Sequence, residues 1–403
     1  MNKRKTVIFL GDGMADEPVE AIGGKTPLQY ARTPAMDSIA RDGRSGTLST
    51  LLEGFPTSSE VANMSVLGCD VPTEYCGRGP IEAAGRGIPL GPGDIAFRVN
   101  LTTVDDGGVL RDFSGGHVGD DDAAELIKAL NSELGAGGVR FHQGVSYRHI
   151  LVLSDPRFSP RVKTEKPDDH HGDRVVDCLP RAIEPAAEET AALLRKLISD
   201  AADILVRHPV NKRLASEGRQ LVNGIWPCGG GRAGALKTLR EKYGISSAVI
   251  SAVDVIKGLG RCLGMDVLEV PGATGYIDTN YEGKADAAVK ALETHDLVYL
   301  HVEGIDEVSH EQNLQKKIAA IEDFDSRIIA RVLSAAGTGV DAAVLADHPV
   351  PVRLGKHTRN PVPVAVRMAG SKPDGIMQYD EISCLKGGLG AMNGPGLMNL
   401  LFR

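Results

Sequence analysis

No apolar run in this chain approaches the ~20 residues needed to cross a bilayer, so a membrane-spanning protein is not expected. A C-x-x-C pair is also missing. The six cysteines, Cys69, Cys76, Cys178, Cys228, Cys262 and Cys384, are scattered. That fits a reducing cytoplasm better than a disulfide framework. Nor is there a surplus of positive charge. The net charge of -8 argues against broad nucleic-acid binding. It leaves room for a small anionic substrate, because local metals and arginines override a global balance. The opening Met-Asn-Lys-Arg-Lys runs into a short apolar stretch at 6–10, too short for the core of a signal peptide. A soluble, cytoplasmic protein is the expectation. Aromatics are scarce, at 4%.

What is present is glycine, 48 residues of it, and enough hydrophobic content (42%) for ordinary cores. The glycine suggests tight turns and sites lined by backbone. A length of 403 residues suggests two or three domains. Nearly continuous apolar runs at 6–10, 297–302, 342–345 and 362–366 read as buried parallel strands. Helical spacing fills 27–42, 285–292 and 314–335 between them. This alternation predicts an α/β fold with a mainly parallel sheet. The middle of the chain differs. It has Gly-, Asp- and His-rich loops (105–108, 166–173, 228–231), strands at 95–101 and 147–153, and a long helix over 185–205. It is expected to be an inserted α/β (or α+β) substrate-binding cap over 86–234. Residues 1–85 and 235–403 would then form one discontinuous core.

The residues that carry chemistry lie outside that insert. Asp306 and His310 stand four apart, as on one helix face or a loop opening into a helix. Asp347 and His348 are adjacent after an apolar run, and His357 follows. Asp12 sits between two glycines directly after the first run. Most of these pieces follow predicted strands, the edge at which open α/β sheets bind ligands. Carboxylates combined with imidazoles suit Mn, Zn, Co or Fe, and Mg less well. Each piece alone has a plainer reading: surface decoration for Asp306 and His310, an Asx turn for Asp12. Ser59 precedes a helical run at 61–67. There Thr57 and Glu60 have the spacing of a capping box. A serine at a helix N-terminus is also placed where backbone N–H groups favour a phosphate. Metal activation would make it a nucleophile.

Together the stretches 11–16, 57–62, 251–261, 272–282, 306–310, 346–348 and 357–363 resemble the archaeal-type branch of the cofactor-independent phosphoglycerate mutases, within the alkaline phosphatase superfamily. The similarity runs over nearly the whole chain. It implies an alkaline-phosphatase-like core and two divalent metals, with Mn²⁺ favoured over Mg²⁺, Co²⁺ or Zn²⁺. It implies no 2,3-bisphosphoglycerate. Asp12, Ser59, Asp347 and His348 would hold one ion, and Asp306, His310 and His357 the other. Ser59 would be the nucleophile, with Ser58 as its neighbouring alternative. It would carry the phosphoryl group between 3- and 2-phosphoglycerate, a step of glycolysis and gluconeogenesis. Glycerate would be retained by the insert, which would close over the site and exclude water. His117 resembles a substrate-contact histidine of the family and joins Ser59 and Lys257 as a catalytic candidate. Lys257 would contact the phosphoryl group, or else is an ordinary helix lysine. His117, Arg148 and Arg232 are the substrate-binding candidates. For the two arginines a solvated surface charge is the plain alternative. Lys212 and Arg213 read as surface charge.

The expected partner is a small anionic phosphomonoester, with neither nucleic acid nor membrane. A homo-oligomer is compatible with the chain. Two other functions compete with the mutase. One is a phosphotransferase or phosphatase of the same superfamily, since members of this branch are sometimes labelled homoserine kinase-like. The other is a metal-binding structural protein, which the intact ligand set disfavours. The segment 166–173 departs from the family's Pro-His-Asp pattern. It reads as a solvated loop or as a third metal site.

Overall fold

The computed structural model describes residues 4–232, 234 and 236–403. The chain divides into two compact units, Met1–Tyr75 with Leu236–Arg403, and Cys76–Ala235. The helix Arg78–Gly85, expected in the core, packs instead on strands of the second unit.

The first unit is built on one eight-stranded sheet. Its strands are β1 (Lys5–Gly11), β2 (Arg44–Ser49), β10 (Ser247–Ile250), β11 (Asp266–Val267), β12 (Leu297–Val302), β13 (Val340–Leu345), β14 (Val362–Arg367) and β15 (Gly390–Asn393), in the order β11-β10-β12-β1-β13-β14-β2-β15. Five of the seven pairings are parallel; β14 runs antiparallel to both neighbours. β1, β12 and β13 are buried on both faces apart from Lys5, as continuous apolar runs require. Their register decides the function of this edge. Gly11 lies beside Val302, and Leu10 beside Leu345. The three parallel strands therefore end level, and the residues that follow them emerge at one edge.

Two helical expectations change. The stretch 27–42 is two helices, Pro27–Tyr30 and Pro34–Arg41. Pro34 takes the first turn of the second, and its ring disfavours helical geometry at Thr33. The stretch 314–335 is helical throughout but not uniformly α. Phe324–Ile329 forms a π segment between Leu314–Asp323 and Ala330–Ala336.

The second unit is mainly antiparallel. It comprises β3 (Ile95–Val104), β4 (Leu110–Asp112), β5 (Val139–Val145), β6 (Arg148–Leu153) and β9 (Gly224–Arg232), plus the short pair β7 (Val162–Lys163) and β8 (Arg181–Ala182). β3 pairs with β4, β6 and β9. Helices Asp120–Leu134 and Glu188–Arg207 supply the apolar faces Ala123, Leu126, Leu130 and Ala191, Leu194, Ala201 to its core.

Candidate active site

The level ends of β1, β12 and β13 converge on a set of buried polar groups. Asp12 follows β1 and is inaccessible to solvent. Its Oδ2 lies 2.9 Å from His301 Nε2, and its Oδ1 3.3 Å from His348 Nε2. Asp347, two residues past β13, accepts hydrogen bonds at Oδ1 from the N–H of Gly13 (3.2 Å) and of His348 (2.8 Å). Asp347 Oδ2 accepts one from Asn63 Nδ2 at 2.8 Å and lies 3.4 Å from His348 Nε2. Ser59 Oγ is 3.3 Å from His348 Nε2. Four of the expected ligands, Asp12, Ser59, Asp347 and His348, are thus together, although adjacency alone left the directions of Asp347 and His348 open.

The other three meet beside them. Asp306 and His310 lie on one helix, Gly304–His310, with His310 Nε2 3.2 Å from the carboxylate. His357 Nε2 is 3.5 Å from Asp306 Oδ1 and 2.9 Å from His310 Nε2. His310 Nδ1 donates to Gly355 O (2.8 Å), so in a neutral ring the Nε2 lone pair is turned toward His357 and Asp306. The His348 and His357 rings stack at 3.9 Å between centroids, which makes the two groups contiguous. Asp12, Asp306 and His348 offer ligand atoms within 4.8 Å of one another. Gly13 is required here. Its φ is 61°, and a Cβ would stand 2.6 Å from Asp306 Oδ1.

Electrostatics here are set by four carboxylates held close together, Asp12, Glu303, Asp306 and Asp347. Burial, then the charges of Asp347 and Glu303, holds Asp12 well above the ordinary carboxylate range. Burial raises Asp347 to about 7 and Glu303 to about 8. Burial acts on Asp306 in the same direction, but the hydrogen bond from His310 and the neighbouring imidazoles outweigh it and lower the group to about 2. For His310 burial works downward, and Asp306 overrides it to about 9. Burial then depresses His348 well below its usual range, and His301 to about 3. Asp12 Oδ1 and Asp306 Oδ1 are buried without a hydrogen bond. Orphaned carboxylate oxygens facing imidazole nitrogens fit divalent cations well.

Sequence reasoning missed four contributors. His301 sits inside the apolar run of β12, where its ring read as one more strand residue. Its Nδ1 lies 3.2 Å from Ser251 Oγ. Asn63, one turn beyond Ser59, donates to Ser59 O (2.8 Å) as well as to Asp347, and accepts from Tyr299 OH. Lys284 is fully buried, with Nζ 3.4 Å from His301 O, and burial pulls it down to about 8. Lys317 is also fully buried. It donates to Asp16 Oδ2 (2.8 Å), Gly13 O (3.0 Å) and Val350 O (2.9 Å), tying the Asp12 loop to the Asp347 loop. Only the i+4 spacing of Asn63 from Ser59 was a usable signal.

Ser59 is the first residue of the helix Ser59–Val66, with Ser58 as N-cap and no side-chain cap. The Thr57–Glu60 capping box does not form. Lys257 forms an ion pair with Glu269 at 2.7 Å. Its helix, Asp254–Cys262, packs beside Ser59–Val66. In the second unit, His117 has a left-handed backbone (φ 51°), and its ring meets Tyr147 edge-on at 5.9 Å. The Arg148 guanidinium lies 5.3 Å from the centre of the same Tyr147 ring. Arg232 does not join them. It pairs in register with Ile95, whereas Arg148 pairs with Asn100 on the other side of β3. Five residues of strand separate the two arginines by ~17 Å along β3. Arg232 donates instead to Phe158 O at 3.0 Å.

A family model described as 2,3-bisphosphoglycerate-independent phosphoglycerate mutase matches residues 40–211. A Methanosarcina acetivorans protein of that name is 46% identical over 403 residues, covering 99% of this chain and all of the relative. A solved structure from Pyrococcus horikoshii covers all of this chain and 97% of its own, with TM-score 0.83 and 28% identity. The cofactor-independent phosphoglycerate mutase of Thermoplasma acidophilum covers 99% and 98%, with TM-score 0.66 and 30% identity. Given that level of identity over full length, the chain belongs to the 2,3-bisphosphoglycerate-independent phosphoglycerate mutases.

Proposed function

We propose that this protein interconverts 3-phosphoglycerate and 2-phosphoglycerate without 2,3-bisphosphoglycerate, with Ser59 as the group that carries the phosphoryl between the two hydroxyls. The observation that supports this most is the position of Ser59 Oγ. It stands at a helix start, 3.3 Å from His348 Nε2, beside the carboxylates of Asp12 and Asp347.

Asp12, Ser59, Asp347 and His348 would hold one divalent ion, and Asp306, His310 and His357 the second; Mn²⁺ is our first choice. When bound, such a pair supplies positive charge that eases loss of the Ser59 proton and offsets charge on the phosphoryl oxygens. The chain's own residues do the rest. Ser59 Oγ attacks phosphorus, the bond from phosphorus to the C3 oxygen breaks, and the glycerate oxygen takes up a proton. The C2 hydroxyl then loses its proton as its oxygen takes the phosphoryl from Ser59. The positive end of the helix Ser59–Val66, at which Ser59 stands, would favour the phosphoryl dianion. Asn63 fixes Asp347 relative to Ser59 by bonding to both. Lys257 would leave Glu269 to meet the phosphoryl oxygens. His117 and Arg148, gathered on Tyr147, would hold the substrate carboxylate. Arg232 has no part in that pair.

The test is turnover of 3-phosphoglycerate with Mn²⁺ and no bisphosphoglycerate, followed through added enolase. Product without free phosphate is expected. Phosphate release from a panel of phosphomonoesters, with no 2-phosphoglycerate, would place the protein among the phosphatases or phosphotransferases.

A further inference from the structure

The second unit contains a group of donor atoms that the mutase chemistry does not use. Two 3₁₀ turns, Pro167–His170 and Val175–Cys178, bring His170, Asp173 and Cys178 together. Asp173 Oδ2 lies 2.9 Å from His170 Nδ1, and Cys178 Sγ lies 3.4 Å from the same nitrogen. All three donor atoms fall within 4.8 Å of one another. Two partners therefore compete for one ring nitrogen. A proton on Nδ1 satisfies the carboxylate and denies the thiol S–H an acceptor at that nitrogen; a lone pair there accepts from the thiol and repels the carboxylate. A cation at the centre of the three resolves the conflict.

We propose that His170, Asp173 and Cys178 form a zinc-class divalent metal site, independent of the centre that holds Asp306 and of the mutase reading. One nitrogen, one carboxylate oxygen and one sulfur are the donor types that zinc accepts, with water in the fourth place. Tetrahedral zinc at its usual bond lengths sets donors roughly 3.3–3.7 Å apart, so occupancy needs outward shifts of a few tenths of an ångström.

The frame for those ligands is already built. Backbone bonds fasten the loop to β4 and the turn before it: Gly172 N to Leu110 O, Leu110 N to Asp173 O and Val175 N to Gly108 O, each 2.9 Å. The His170 ring stacks on Trp226, with planes 20° apart and centroids at 6.1 Å. Trp226 is itself anchored by Nε1 donating to Glu165 O at 2.9 Å. A ligating ring held by packing and hydrogen bonds is what a metal site needs. Asp173 is more than half exposed, so solvent reaches the open side. Cys178 packs with Val175 on the small cluster around Trp226. Binding converts the Cys178 thiol to a metal thiolate and releases one proton.

Trp226 is the chain's single tryptophan, so the site carries its own reporter. The experiment uses full-length, reduced, metal-stripped protein titrated with Co²⁺. Expected are a near-ultraviolet sulfur-to-cobalt charge-transfer band and quenching of Trp226 emission, sharing one midpoint and reversed by excess Zn²⁺. The centre at Asp306 offers no sulfur, so its occupancy gives no such band. Cys178→Ser should lose the band with an unchanged far-ultraviolet spectrum. Asp173→Asn should keep the fold and weaken cobalt binding on the order of tenfold or more. A wild-type protein without the band at saturating cobalt overturns the proposal. So does a band that survives in Cys178→Ser, or unchanged affinity in Asp173→Asn.

Discussion

The candidate residues of the two units differ in burial. In the first, Asp12, Asp347 and His348 are wholly buried, and Asp306 nearly so. Each emerges from a strand end or helix whose position the sheet dictates. In the second, His117, Arg148 and Arg232 are exposed, on turns and strand ends. Burial makes the first set costly to misplace, because an unpaired buried charge loses several kcal/mol. It also makes that set potent, because charges interact more strongly away from water. The exposed set carries little structural obligation and is free to serve recognition. On the proposed reading, the scaffold of one unit would fix the chemistry, and the exposed residues of the other would be free to adjust to substrate.

The largest expected effect tests the first half of that contrast. Ser59→Ala should reduce turnover on the order of 10⁴-fold or more, with thermal unfolding unchanged because the helix start has no side-chain cap to lose. A variant with wild-type turnover would end the assignment of Ser59. Chelation should act nearly as strongly. Turnover should vanish after metal removal and return with Mn²⁺, and melting temperature should fall, because the crowded carboxylates lose their counter-charge. Chelator-resistant activity would remove the metal assignment.

Lys317→Met separates scaffold from chemistry. The variant strips Asp16 of its buried partner and unties Gly13 from Val350. Destabilisation of ~3–5 kcal/mol is expected, measured by denaturant titration, with loss of metal affinity measured calorimetrically. Unchanged stability would show that the clamp is idle. Asn63→Ala is a smaller cut at the same frame. It should lower kcat ~10–100-fold while leaving KM near wild type, since Asn63 orients Asp347 and Ser59 and does not touch glycerate. A change confined to KM would contradict that positioning role.

How much of this was legible in the sequence follows the same contrast. The apolar run at 297–302 coincides with β12, and Asp12, Asp306 and Asp347 were found because each follows such a run. A strand end is a local signal, and parallel register makes it a spatial one. His301 was hidden because a histidine inside an apolar run gives no sign of which atom it will face. Lys317 was hidden more deeply. Its partners lie some 300 residues away and 33 residues away, and helical periodicity marks it only as one position on a helix. The π segment at Phe324–Ile329 escaped for a related reason: one extra residue in a turn leaves the apolar spacing almost unchanged. The capping box failed because Ser58, not Thr57, takes the N-cap position.

In the second unit, sequence could nominate arginines but could not rank them, and the sharpest test lies there. Arg148 and Arg232 look alike as isolated basic residues near glycines or aromatics. The register of β3 separates them: Arg148, opposite Asn100, shares Tyr147 with His117, while Arg232, opposite Ile95, bonds Phe158 O. If recognition belongs to the Tyr147 group, Arg148→Ala should raise KM for 3-phosphoglycerate ~10–100-fold, the worth of one charge-assisted hydrogen bond. Arg232→Ala should change KM by less than about threefold, in line with loss of a single hydrogen bond away from the Tyr147 group. Steady-state kinetics on both variants decides it. An equally large rise in KM for both would mean that substrate reaches both arginines, which a molecule as small as a phosphoglycerate cannot do across ~17 Å of strand. The substrate assignment, rather than the arginine ranking, would then have to change.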